Sequence, residues 1–395
     1  MLLGGIRYLL PVIKAAHEQG YYVITADYLP DNIAHKYSDE YVNVSIIDKE
    51  AVLKVAQEKH IDGIMSFGVD PGVVSAAYVA ERMGLPFQCS YESACILQDK
   101  SRFRQFLAEH GFNCPKAKGY DNKEDALRDA ECFTWPVIVK PVDSAGSKGV
   151  TRVIKKEELR RAIDTAISLS ISKHFIVEDF LVAEGQPSGS ESFFVDGELR
   201  YNAFYDQLFD LNSTNPFVPM VEQWPSAKPD YVKEDVKQQL QRLGTLMGFG
   251  TGVFNVEWRV SGGKAYLMEV SPRAGGNRLV EILNYAADVD IIKAETLKSV
   301  GYNSGDVHEP NYNGHYAIYN LHSNRYGYFE SLLLDPIFEQ KYLIEKEIRV
   351  ESGNVVEPFA GANTSLGTLF IKADSRKEMD AVLSKIDKYL KVVLR

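Results

Sequence analysis

Two glutamates, Glu257 and Glu269, stand on strand-like segments joined by a glycine turn, and the second segment runs into Ser271-Pro-Arg-Ala-Gly-Gly-Asn277. The arms read Gly252-Val-Phe-Asn-Val-Glu-Trp-Arg-Val260 and Lys264-Ala-Tyr-Leu-Met-Glu-Val270, with Ser261-Gly262-Gly263 between them. A three-residue loop at 262–264 pairs 261 with 265 and sets Glu257 opposite Glu269 on one face, Cβ atoms roughly 5 Å apart. Two unpaired carboxylates there repel each other. A divalent cation between them reverses the sign, because hard oxygen ligands suit Mg2+. A two-residue loop would shift the pairing by one and leave two solvated glutamates on opposite faces. The hairpin alone leaves both readings open.

Upstream, Lys140 ends the apolar run Val137-Ile-Val139, where its ammonium must find an anion or reach water. The segment 141–150 follows with Ser144, Gly146, Ser147 and Gly149 around Lys148. Such a loop lets backbone N–H groups approach phosphate oxygens. It is not G-x-x-x-x-G-K-[ST], and an ordinary surface turn is the alternative. Lys100, on a helix, reads in isolation as an exposed lysine.

The order of these pieces is more specific than any one of them. A helix lysine, a strand-ending lysine, a glycine-bearing loop, Val177-Glu-Asp-Phe-Leu181, the two-glutamate hairpin and Arg273 together resemble the ATP-grasp superfamily. The segment Phe254-Asn-Val-Glu257 with Met268-Glu-Val-Ser-Pro-Arg-Ala-Gly-Gly-Asn277 is similar to the metal-binding hairpin of its carboxylate–amine ligase branch. Glycinamide ribonucleotide synthetase and amino-acid ligases belong to that branch; biotin carboxylase and carbamoyl-phosphate synthetase are further members of the superfamily. The resemblance implies ATP and Mg2+ as cofactors, with Mn2+ able to substitute. It implies that Lys100 and Lys140 contact the α- and β-phosphates, and that Ser144, Gly146, Ser147 and Gly149 close over the β- and γ-phosphates. Glu178, Asp179, Phe180 and Leu181 would read the adenine edge, and Glu184 or Glu191 the ribose. Glu257, Glu269 and Ser271 would hold metal, although the family usually has Asn where Ser271 stands. Arg273 would neutralise the transferring phosphoryl group, and Gly275, Gly276 and Asn277 would meet the acceptor carboxylate. The implied reaction is an ATP-dependent ligation of a small-molecule carboxylate and an amine through an acyl phosphate. A bicarbonate-dependent enzyme and a non-catalytic ATP-binding protein are the rivals.

The elements that must position these groups fall into three parts. Residues 1–93 alternate strands (21–25, 61–67) with helices (8–19, 49–60, and one opened by Asp70 as N-cap before Pro71), as in a doubly wound parallel sheet. Gly4-Gly5 with Asp27 lacks the G-x-G-x-x-G spacing of an NAD site. The body spans 94–300, with a nucleotide-covering lobe at about 115–182, a hairpin at Asp196-Gly197 and a helix over 233–247. Residues 206–230 read as a long aromatic loop, in which Phe209, Phe217 and Trp224 line a substrate pocket or pack as a satellite core. A small α+β lobe, 301–395, carries His315, Tyr316 and Tyr319 on its first strand and a helix opened by Ser375 and Glu378. The expected fold is thus α/β and α+β, with an ATP-grasp body of two α+β lobes.

Composition sets the outer bounds. The 395 residues hold 44 Lys plus Arg against 54 Asp plus Glu, a net charge of −10 that disfavours nucleic acid and anionic membrane as partners. No apolar run nears the roughly 20 residues of a membrane span. Arg7 and Pro11 interrupt any signal-peptide pattern, so a cytoplasmic protein is expected. The short first strand suggests a native chain beginning a few residues earlier. Cys89, Cys95, Cys114 and Cys132 lack C-x-x-C spacing and read as reduced thiols, and the eight histidines form no zinc motif. A homodimer is plausible by family likeness.

Overall fold

The computed structural model describes residues 1–144 and 146–395, so Ala145 of the glycine-bearing loop lies outside the described residues. Strands Leu2–Leu3, Ile24–Asp27 and Glu40–Asn43 lie side by side in parallel, and Met65 bridges Leu2 from the other side. Strand order therefore reverses at the first strand, as a doubly wound sheet requires. The second strand starts later than expected because Tyr21 N closes the preceding helix on Ala16 O and the Asp39 carboxylate takes Val23 N. The stretch 61–67 supplies only the Met65 bridge. Gly63 there packs against the Ser299 carbonyl at the end of helix Ile291–Ser299, where a Cβ would clash.

The centre of the molecule is one antiparallel sheet of eight strands. In spatial order these are Lys264–Ser271, Gly252–Ser261, Ser188–Val195, Glu198–Phe209, Pro219–Trp224, His315–Leu321, Gly367–Ala373 and Leu343–Ile348. Three strands from the last hundred residues thus continue the sheet that carries the hairpin. The stretch 206–230 is not the loop its composition suggested: Pro219–Trp224 is an interior strand, paired on both edges. Val221, Glu222, Gln223 and Trp224 are all buried, so the alternation that marks a half-exposed strand is missing. The Trp224 ring lies tilted against Tyr205 at 5.0 Å and belongs to the core.

A four-stranded antiparallel sheet, Ala117–Tyr120, Phe175–Asp179, Val137–Pro141 and Thr151–Val153, forms the covering layer. Its Val137, Val139, Phe175 and Val177 pack on Leu159, Ala162, Ile163 and Ala166 of helix Leu159–Leu169. The two-residue strand period then sends Lys140 and Glu178 to the opposite, cleft face. Near the C-terminus, Ser375 caps helix Arg376–Leu383 by accepting from Glu378 N at 3.2 Å, and the Glu378 carboxylate accepts from Asp374 N. Among the described residues no helix is long and apolar enough to cross a membrane.

Candidate active site

The hairpin reaches the expected pairing by an unexpected route. Its turn has two residues, Gly262 and Gly263, both at positive φ (57° and 70°), and Ser261 pairs with Lys264. Continued down the ladder, that register would set Glu257 against Met268. A bulge between Trp258↔Leu267 and Glu257↔Glu269 absorbs Met268 and restores the two glutamates to one face. Glu257 is exposed along the cleft, yet crowding by protein and then the Glu269 charge push its carboxyl above the usual range.

Helix Lys100–Glu109 aims two cations at the cleft. Asp99 caps it, accepting from Ser101 N at 2.8 Å and Arg102 N at 3.0 Å. Lys100 and Arg104, one turn apart, share a face. The Lys100 ammonium lies 3.2 Å from Glu269 and donates to Ser144 O at 3.0 Å. Burial works against its charge, but Glu269, Asp70 and Glu257 outweigh burial and raise its pKa. Arg104 Nε donates to Glu178 at 3.1 Å, and Lys140 Nζ donates to the other Glu178 oxygen at 2.5 Å. All three side chains are buried. Burial opposes the Glu178 charge, but the two cations hold its carboxyl down at about 2. For Lys140, burial and then the neighbouring cations prevail over Glu178 and lower it to about 8.

The segment after the hairpin is held from three directions. Gln98 donates to Ser271 Oγ at 2.8 Å, Ser271 Oγ donates to Asp70 at 2.9 Å, and Gln88 donates to Pro272 O. Arg273 forms a two-point pair with Asp70. Asp70 is therefore not a helix cap; it sits in a 3-10 turn, Asp70–Gly72, ahead of helix Val73–Met83, whose first turn has no side-chain cap. Glu191 is fully buried, accepting from Asn255 at 2.7 Å and Gly275 N at 3.0 Å, and burial pushes it up to about 7. A Cβ at Gly275 would fall on that carboxylate, so glycine is needed there. Asn277 and Arg278 follow at φ 55° and 66°, a left-handed pair that non-glycine residues seldom adopt. Asn277 donates to the buried Glu222 at 3.2 Å.

The other sequence-derived residues have partners of their own. Ser147, at φ 57°, donates to Phe217 O at 3.0 Å, and Asn215 donates to Ser147 O at 3.2 Å. Phe180 N donates to Pro136 O, Asp179 accepts from Thr134 N, and the Arg152 guanidinium stands 4.2 Å above the Phe180 ring. Glu184 is exposed at the far end of the hairpin, where both its oxygens accept from Gly263 N at 3.2 Å. The Asp27 carboxylate is occupied by Leu29 N and Asn32.

Residues 133–281 match the ATP-grasp domain family. The chain carries an ATP-grasp domain. Over 312 residues it is 22% identical to the carbamoyl phosphate synthase large chain of Clostridium beijerinckii, an alignment covering 75% of this chain and 28% of that one. The chain therefore spans little more than a quarter of that relative's length. Its fold superposes on an L-amino acid ligase from Bacillus licheniformis with a TM-score of 0.81 at 19% identity, covering 100% of this chain and 98% of the other. Phosphoribosylglycinamide synthetase from Anaerococcus prevotii gives 0.78 at 19% identity with the same coverage. At these identities the likeness is one of fold.

Four residues of the cleft have places that the sequence pattern does not give. Arg104 had a visible signal, a charge on the buried stripe between Phe103 and Leu107. Gln98 and Glu222 had none, lying on a helix and a strand that the pattern did not reveal. Asp70 was noticed but assigned to the wrong task, because its partner is 203 residues away.

Proposed function

We propose that this ATP-grasp protein is an ATP-dependent carboxylate–amine ligase working through an acyl phosphate. The observation that carries the reading is the convergence of Lys100, Glu257, Glu269 and Arg273 at one end of a cleft whose other wall holds Lys140. Two facing carboxylates with one ammonium, held by Glu269, are short of positive charge, which fits a divalent cation shared with a polyphosphate. Glu257 and Glu269 would hold Mg2+, and bound Mg2+ would neutralise phosphate oxygens as the phosphoryl group transfers. Among the described residues no three His, Cys, Asp or Glu side chains are grouped to hold a metal by themselves. Nucleotide oxygens and water would complete the shell. We assign Ser271, whose hydroxyl is engaged by Asp70 and Gln98, to positioning rather than to metal.

Lys100 and Lys140 would bind the phosphates, and the 143–149 loop would cover them with backbone N–H groups. Residues 178–181 would hold the adenine. The substrate carboxylate attacks the γ-phosphorus and the bond to the β-phosphate oxygen breaks, releasing ADP. Arg273 stabilises the charge that spreads over the phosphoryl oxygens. The amine then attacks the acyl carbon, phosphate leaves, and the amine proton passes to solvent or a nearby carboxylate. Of the glycine pair, Gly276 would orient the substrate carboxylate, since Gly275 N is held by Glu191. Neither acid proposed for the ribose lies free: Glu191 braces Gly275 and Glu184 braces the hairpin turn. Glu184, exposed, is the one left able to exchange partners.

Glu222 and Glu191 favour an amine as the second substrate. Both are buried on the cleft face, among the described residues neither has a salt-bridge partner, and burial pushes Glu222 up to about 8 and Glu191 to about 7. An ammonium brought beside them would draw both to the charged form. Phosphate release from Mg·ATP, screened over carboxylate–amine pairs and over bicarbonate, tests the reading. Release driven by bicarbonate alone, or none with any acid, rejects it.

A further inference from the structure

We propose that Asp70, on the N-terminal sheet domain, is the positioning residue that aims Arg273 at the transferring phosphoryl group; this rests on the ligase reading above. Arg273 Nε donates to Asp70 Oδ1 at 2.8 Å and Nη2 to Oδ2 at 2.6 Å, while Nη1 donates to Ala274 O at 2.9 Å. A guanidinium has five N–H donors. Two are thus consumed on the Nε/Nη2 edge and one on Nη1, and one hydrogen on each Nη is left for a ligand. Two parallel bonds to a carboxylate fix the plane of the guanidinium as well as its position, which one ammonium-like contact cannot do.

The Asp70 side of the pair is equally constrained. Its turn is pinned by Ser66 Oγ, which donates to Val69 O, and a Cβ at Gly72 would lie 2.7 Å from that hydroxyl. Gly68, at φ 67°, brings the turn against the Arg273 loop: a Cβ there would stand 3.6 Å from Gly275 O, and one at Gly276 would stand 3.7 Å from Gly68 O. Ser271 adds a third bond to Asp70. The N-terminal domain therefore supplies a rigid anvil for a residue outside it, and residues 133–281 alone lack that support.

A kinetic cycle on the full chain tests the proposal. Asp70→Ala should lower kcat about 100-fold, the scale of a misplaced catalytic group, with KM for ATP nearly unchanged. Asp70→Asn, which keeps an acceptor but loses the charge, should fall between. Asp70→Ala combined with Arg273→Ala should be no slower than Arg273→Ala alone, because the aspartate acts only through the arginine. Multiplying losses, or an unchanged kcat in Asp70→Ala, would overturn it. A second readout needs no turnover: aluminium fluoride added to Mg·ADP should raise the melting temperature of the wild type further, and Asp70→Asn should lose that increment while keeping the Mg·ADP shift. Equal increments in both proteins, or none in the wild type, would also overturn it. Absence of carboxylate-driven phosphate release with the increment intact would sink only the ligase reading.

Discussion

Glu257 faces Glu269 across the hairpin because Met268 is bulged out between Glu269 and Leu267. The turn and the candidate metal site are therefore set by different features. Gly262 and Gly263 give the tight two-residue turn that matches strand twist. The bulge then moves everything beyond it by one residue, which changes the face that Glu269 presents. Asn255 and Ser271, two pairs further along, inherit the same corrected register.

Deleting Met268 should test whether the bulge itself is needed. The turn and the Trp258↔Leu267 pairing stay, and Glu269 moves into the vacated position, still opposite Glu257 but in a regular ladder. We expect the melting-temperature increase produced by Mg·ADP to survive, with far-UV circular dichroism near that of the parent. A folded deletion variant that no longer gains stability from Mg·ADP contradicts the assignment of the pair.

This hairpin also shows what was legible in the sequence and what was not. The two glutamates on one face were foreseen, but on a three-residue loop; the actual loop has two, and a bulge has no short-range signature in Leu267-Met268-Glu269. Helix Lys100–Glu109 was legible from the stripe of Phe103, Phe106 and Leu107, while its Asp99 cap is a finding of the structure. Strand Pro219–Trp224 was not, since an interior strand buried on both faces does not alternate and Pro219 marks its start. Long-range pairs were beyond reach: Lys140 announced that it needed an anion, but nothing local pointed to Glu178 and Arg104 as its surroundings.

Removing one of the facing charges should stabilise the protein without ligand. Among the described residues Glu257 has no salt-bridge partner: Lys100 pairs with Glu269, and Arg259 acts on Glu257 only at longer range. Glu257→Gln relieves the repulsion and should gain roughly 0.5 kcal/mol in the nucleotide-free protein, the scale of a like-charge cross-strand pair. The same variant should lose Mg2+-dependent phosphate release. Thermal unfolding with and without Mg2+ reads the first effect, and a metal titration of turnover reads the second. A destabilised nucleotide-free variant would show that the carboxylates are not in conflict.

Glu178 should be the most costly single charge to remove. It satisfies Lys140 and Arg104 in a buried site where neither Nη of Arg104 has another partner. Glu178→Gln leaves two buried cations without a counter-charge, and the expected loss is about 3–5 kcal/mol. Denaturant unfolding measures it. Glu178→Gln in a Lys140→Met background should lose less, since one of the stranded charges is gone. A loss below about 1 kcal/mol in the single variant would mean that water enters and screens the trio.

Nucleotide affinity should fall as the pH rises past the Lys140 transition. Burial first, then Arg104 and Lys100, lower this ammonium from 10.5 to about 8, against the pull of Glu178. A phosphate anion binds the charged form. Below about pH 7 the lysine is charged and affinity is flat; above about 8 each further pH unit should weaken binding, by at most about tenfold. Stability runs the other way. The unfolded chain keeps this proton up to 10.5 while the folded chain releases it near 8, so the linkage term gains with pH across that window. Lys140→Arg stays protonated throughout and should remove both dependences. Calorimetric titration with Mg·ADP across that pH range checks the prediction: an inflection that persists in Lys140→Arg would assign it to another group.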